Sequence, residues 1–344
     1  MKKIISVMMV MMLTFAFPSQ VSAEESPTLE SIADSIIEIT TDNSNENPTT
    51  TYNNIEEFVN EVRNQIPDID DLELANFIMD YTGQDDLEVA DEETLKYLGF
   101  KEIIVSEDYI KVDEAGNTES MTQDEMTLAM FRDDYGISPL QNPWTSDNGY
   151  MQIKIVISRE SGVVNGYVDY QIAAYGHWLK MPTCYFTDVF ALYFNNAVFD
   201  SSHEIYGKLE QIQKCCSTTK KYKSQVWNNE NKPPYYTEKN VIVSNQLDNA
   251  VAITFKLIQP GLFQCTAITQ KHLSTITDIL TYMSYGISVK SGAKFVTQAG
   301  YCHKQISLGS IGVSASGSGI SFSASGTVIK KDYIGDKLTT TAFK

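Results

Sequence analysis

The chain has 344 residues and a formal net charge of −18, a balance that argues against nucleic acid as a partner, because phosphate backbones recruit basic surfaces. A chain of this length exceeds what one compact core usually holds, so two domains are expected. The charge is unevenly spread: residues 24–137 carry 31 acidic and 5 basic side chains, whereas residues 138–344 carry 13 and 19.

The first element is an export signal. Lys2 and Lys3 precede an apolar run from Ile4 to Phe17, and Val21-Ser22-Ala23 places small residues at the expected cleavage positions. The run is shorter than the ~20 residues a helix needs to cross a bilayer, so residues 1–23 are expected to be cleaved off as a signal peptide. No cysteine stands at the cleavage site for lipid attachment, and no later segment is apolar enough to span as a helix. The mature chain is therefore expected to be secreted from a bacterial cell as an extracellular protein.

Residues 24–51, rich in Ser, Thr, Asn and acidic side chains, read as a flexible acidic leader. Ile55, Phe58, Val59, Val62 and Ile66 then recur at spacings of three and four, predicting a helix capped by Asn53 or Asn54 and ended by Pro67. Further helices are expected over 71–81 and 91–98, each closed by a glycine, Gly83 and Gly99. Alternation over 103–112 predicts a strand, with a turn at 113–117. Thr122 with Glu125 forms a capping-box pair for a helix running to Asp134. Residues 52–137 thus read as an acidic, mostly helical module. The stretch 138–149, with Pro139, Pro143 and Asn148-Gly149, reads as a linker, and the chain beyond it is expected to fold independently.

From residue 150 to 344 the pattern is strand after strand. Met151, Ile153, Ile155 and Ile157 alternate with more polar neighbours, and Asn165-Gly166 is a hairpin turn before a returning strand. Strands are also expected over 189–194, 250–257, 282–290 and 295–298, with helices interrupting them at 203–214 and 273–282. The fold class that follows is mainly β, with a small helical (α+β) N-terminal module and then an antiparallel β-sandwich-like domain.

Residues 306–329 contain no charged side chain. Around Ser316-Gly317-Ser318-Gly319, Ile311, Val313, Ala315, Ile320, Phe322 and Ala324 alternate with Ser and Gly, which predicts a hairpin with one apolar and one hydroxyl face. The plainer expectation is an edge hairpin of the sandwich. The sharper one is membrane insertion through Ile311, Val313, Ile320, Phe322 and Ala324, since its strands approach the ~9–11 residues a bilayer-crossing strand requires.

Enzyme signatures are sparse. His203-Glu204 lacks the second histidine of a zinc-protease helix, and no nucleophile elbow, phosphate-binding glycine loop or EF-hand is present, so no catalytic residue, metal ligand or cofactor is assigned. Cys302 adjoins His303, but neighbours on a strand point to opposite faces. Cys184, Cys215, Cys216, Cys265 and Cys302 are candidate disulfide cysteines in an exported chain, and their odd number leaves at least one unpaired. Trp227, Tyr235 and Tyr236, the last two following Pro233-Pro234 on an expected loop, are candidate ligand contacts. Trp144 and Trp178 read as core residues. The leading expectation is a secreted, non-enzymatic binding protein for an extracellular protein or glycan, with its contact surface on the C-terminal β domain. A membrane-active protein whose acidic module masks the rest is the second reading, and a thiol enzyme the third.

Overall fold

A computed structural model describes residues 49–65, 67, 74, 101–113, 116–134, 149–159, 162–182, 185–200, 205–215, 218–229, 232–236, 241–264 and 271–344. The signal segment, most of the leader, the expected helices at 71–81 and 91–98 (Leu74 apart) and residues 138–148 of the expected linker lie outside them.

The elements begin with β1 (Thr49–Tyr52), α1 (Ile55–Gln65), β2 (Glu102–Val112), β3 (Thr118–Met121) and α2 (Gln123–Asp134). Long strands follow: β4 (Gly149–Arg159), β5 (Tyr167–Lys180), β6 (Thr187–Asn195), β7 (Val198–Phe199), β8 (Ile205–Cys215), β9 (Thr218–Asn229) and β10 (Lys232–Tyr236). The chain continues through β11 (Val241–Leu247), β12 (Ala250–Lys256), β13 (Leu262–Gln264), β14 (Lys271–Leu273) and β15 (Thr275–Lys290). It closes with β16 (Lys294–Leu308), β17 (Ile311–Ser316), β18 (Gly319–Ala324), β19 (Thr327–Ile334) and β20 (Leu338–Thr341).

The fold is mainly antiparallel β, as the alternation predicts. One large sheet runs β1-β2-β4-β5-β15-β8-β9-β10, with β3 on β2 and β7 on β15; a second runs β11-β12-β6-β16-β19, with β20 on β16. Period-two alternation sorts each strand's side chains between two layers. On the larger sheet Ile153, Ile155, Ile172, Met283 and Ile287 face inward, and on the smaller Phe190, Leu192, Val251, Ile253 and Tyr301 meet them in one core. On the far side of the larger sheet, Ile55, Phe58, Val59 and Val62 of α1 pack on Ile103, Val105, Val156, Ala173 and Tyr282.

Local signals account for the caps and turns. The Asn54 side chain accepts from the Glu57 amide at 2.9 Å, and Glu57 accepts from the Asn53 amide at 2.8 Å, closing the first turn of α1. Thr122 and Glu125 exchange the same pair of bonds at the start of α2. Asn165 and Gly166 both take positive φ (51° and 84°), the turn that matches the strands' twist.

Three expectations need correction. Within the helices expected at 203–214 and 273–282, residues 205–214 and 275–282 are strand: β8 and β15 occupy them and pair over 214–206 and 275–284, while residues 203 and 204 lie outside the described residues. The apolar spacing Ile205, Leu209, Ile212 mimics a helical face, but partners on both sides of each strand override it. Residues 49–51, read as the end of the leader, form most of β1. Charge reversal also fails to divide the sheet: β2, from the acidic segment, pairs with β4 along its whole length, from Glu102↔Arg159 to Val112↔Gly149.

Candidate functional site

The middle of the uncharged segment lies outside both large sheets, as does the short β13–β14 pair. Among the described residues β17 and β18 pair only with each other, in a two-stranded ribbon outside both large sheets, and not as the expected sheet edge. Beyond a shift between Lys304 and Ile306, the ribbon continues the β16–β19 pair in one register from Ile306 onward. Ile306 faces Ile329 and Leu308 faces Thr327; the Ser325 amide donates to the Ser310 carbonyl at 3.0 Å; Ile311 faces Ala324. Gly309 and Gly326, opposite one another in that register, both have positive φ (153° and 72°), a conformation side-chain-bearing residues rarely adopt. The paired strands bend there together and fold back over the outer face of the smaller sheet.

That fold-back buries the apolar side. Ile320 and Phe322 are buried against Val189, Ala191, Tyr193, Ala250, Ala252 and Cys302, with Ile311, Val313 and Ala315 partly buried beside them. Full burial of side chains this size stabilises the docked position by about 1.5–3 kcal/mol each. Gly300 makes the close approach possible: a Cβ there would lie 3.1 Å from the Phe322 ring. Ala324 is exposed despite its place in the alternation. The other side is a ladder of hydroxyls facing water, Ser314 to Ser321 at 2.7 Å and Ser310 to Ser325 at 2.8 Å.

Basic residues stand at the base of the ribbon. Lys304 faces Lys330 and His303 faces Lys331 across the β16–β19 pair, so each strand carries a lysine just outside the uncharged stretch. Lys304 Nζ donates to the Gly309 carbonyl at 2.6 Å, and Lys330 pairs with Asp332. In sequence Gln305 separates Lys304 from the apolar run; the register sets it beside Lys330.

The cysteine and histidine candidates fall elsewhere. Cys302 points into the layer beneath the ribbon, while His303 points to the opposite side and bonds Asp188 through Nδ1 at 2.9 Å. Burial, reinforced by Asp332, holds the Cys302 thiol well above its ordinary pKa, so it stays protonated and un-nucleophilic. Among the candidate disulfide cysteines, Cys215 and Cys302 are buried and in no disulfide; Cys184, Cys216 and Cys265 lie outside the described residues. His177 bonds Asp278 at 2.9 Å at a half-exposed position. Trp178 is buried in the core and Trp144 lies outside the described residues.

Trp227 and Tyr235 are directly opposite on β9 and β10, with Tyr236 opposite Val226. The Pro233-Pro234-Tyr235-Tyr236 stretch is therefore an end strand of the larger sheet, not a loop, and its prolines suit a position with one unpaired side.

No protein-family model matches the chain, and no characterised protein matches it by sequence. Among solved structures, Clostridium perfringens delta-toxin aligns at 8% identity, covering 70% of this chain and 88% of that one, with a TM-score of 0.27. The Clostridium perfringens NetB toxin in its membrane-inserted form aligns at 8% identity over 54% and 89%, with a TM-score of 0.22. TM-scores this low do not make a shared fold.

Proposed function

We propose that this is an exported, non-enzymatic, membrane-active protein that inserts the ribbon 306–329 into a lipid bilayer. The observation that carries the reading is the unbroken register through the paired glycines. Straightened at Gly309 and Gly326, the ribbon becomes one hairpin with strands 306–316 and 319–329, eleven residues each by the register of its pairs. At ~3.3 Å per residue and the usual tilt of ~40°, such strands rise about 28 Å, the thickness of a bilayer's hydrocarbon core. Ile311, Val313, Ile320, Phe322 and Ala324 would then face lipid and the serine ladder a water-filled interior. Lys304 and Lys330 would stand at headgroup level, where they favour anionic lipid.

Two strands leave their outer edges unpaired, which hydrocarbon does not tolerate, so insertion requires a closed barrel from several copies, at least about four for the smallest known barrels. The acidic segment is not the movable part in this reading, because β1 and β2 are strands of the larger sheet. The register of Trp227 with Tyr235 favours a second reading, docking of an extracellular glycan or protein at the β9–β10 edge.

Ala324→Lys tests insertion cleanly. Because Ala324 is exposed in the folded-back ribbon, the lysine should leave the melting temperature unchanged. Facing lipid, it costs about 2–4 kcal/mol at mid-bilayer, so dye release from phosphatidylcholine–phosphatidylglycerol vesicles should fall by at least about 30-fold. Ser314→Lys, on the hydroxyl face, should keep most of the release. No release by the natural chain, or release indifferent to Ala324→Lys, would remove the insertion reading and leave the docking one.

A further inference from the structure

We infer that Gln298 is the catch that keeps the ribbon folded back, so that its amide sets how readily the ribbon leaves the sheet; this rests on the ribbon being the moving part of the proposed function. Gln298 lies on β16 and is 7% exposed. Its Oε1 accepts from the Ile320 amide at 3.0 Å, and its Nε2 donates to the Gly335 carbonyl at 2.8 Å. One buried side chain thus ties the returning strand of the ribbon to the loop between β19 and β20.

The rest of the geometry is fitted around that bond. A Cβ on Gly319, beside Ile320, would overlap the Gln298 amide oxygen, and Gly319 takes φ 109° to pass it. Lys337 Nζ reaches the Gly317 carbonyl at 3.4 Å at the exposed tip, and Lys304 holds the Gly309 carbonyl at the hinge. Lys304, itself buried, ties the hinge and not the returning strand, whereas exposed Lys337 can exchange its carbonyl for water. Gln298 cannot do so without the ribbon moving, and a buried amide left unbonded is unfavourable. The catch therefore opens only when the ribbon lifts as a unit, and lifting uncovers Cys302 and the apolar sheet face around it.

Cys302 supplies a reporter independent of any membrane. In the full-length protein, the alkylation rate of the Cys302 peptide, read by mass spectrometry, should rise about tenfold in Gln298→Ala, as expected for loss of one to two hydrogen bonds. Gly300→Val, which drives a side chain into the Phe322 ring, should raise it by a different route. Cys215, buried on the other sheet, should keep its rate in both variants. Unchanged protection of Cys302 in both, or a rise at Cys302 matched by Cys215, would overturn the catch. Faster Cys302 labelling without faster vesicle leakage would uphold the catch and count against membrane insertion alone.

Discussion

A chain shortened to residues 149–344 is expected to lose cooperative unfolding. Charge and proline placement mark that boundary in the sequence, yet removal of the acidic segment strips β2 from the eleven-residue ladder along β4 and leaves β4 as an open edge. It also removes Ile104, Ile110 and Val112 from the main core, and Ile103 and Val105 together with the helix α1 that covers them. Burial of five such side chains contributes on the order of 10 kcal/mol. That is comparable to the ~5–15 kcal/mol net stability of a typical domain. Thermal unfolding of the fragment beside the full chain, followed by circular dichroism, gives the comparison. A soluble, monomeric fragment melting sharply near the full chain's temperature would show that the charge boundary is also a folding boundary.

Asp188→Ala should be among the most destabilising single substitutions in the β-rich part. The carboxylate is fully buried between the sheets and accepts three hydrogen bonds: Tyr301 Oη at 2.6 Å, His303 Nδ1 at 2.9 Å and the Lys304 amide at 2.9 Å. Burial first, and then the adjacent Asp188 charge, push the Tyr301 phenol well above its ordinary pKa, so it remains a donor at any working pH. Alanine would strand all three donors away from water, costing about 3–5 kcal/mol, or a fall on the order of 10 °C in melting temperature. Asp188→Asn keeps one acceptor and should lie between. The node joins β6 to the middle of β16, next to the strand pair that carries the ribbon. A loss under ~1 kcal/mol for the alanine would mean that the three donors find other partners.

What the sequence determined by itself is local. Asn54 and the Thr122–Glu125 pair cap α1 and α2 because their side chains bond amides within one turn. Asn165-Gly166 turns the β4–β5 hairpin because those residues tolerate positive φ, and the alternation through Ile153, Ile155 and Ile157 puts one face inward because the strand period is two. The two-faced hairpin around Ser316 to Gly319 was readable for the same reason. Tertiary structure decided everything that depends on a distant partner. β8 and β15 are strands because each is flanked by others, although the spacing of Ile205, Leu209 and Ile212 equally suits a helix. β2 belongs to the larger sheet because β4 offers it a matching edge, something net charge cannot report. The fold-back of the ribbon, the meeting of Lys304 with Lys330, and the bond from Gln298 to Ile320 are likewise set by register and packing between segments, which residue order alone does not encode locally.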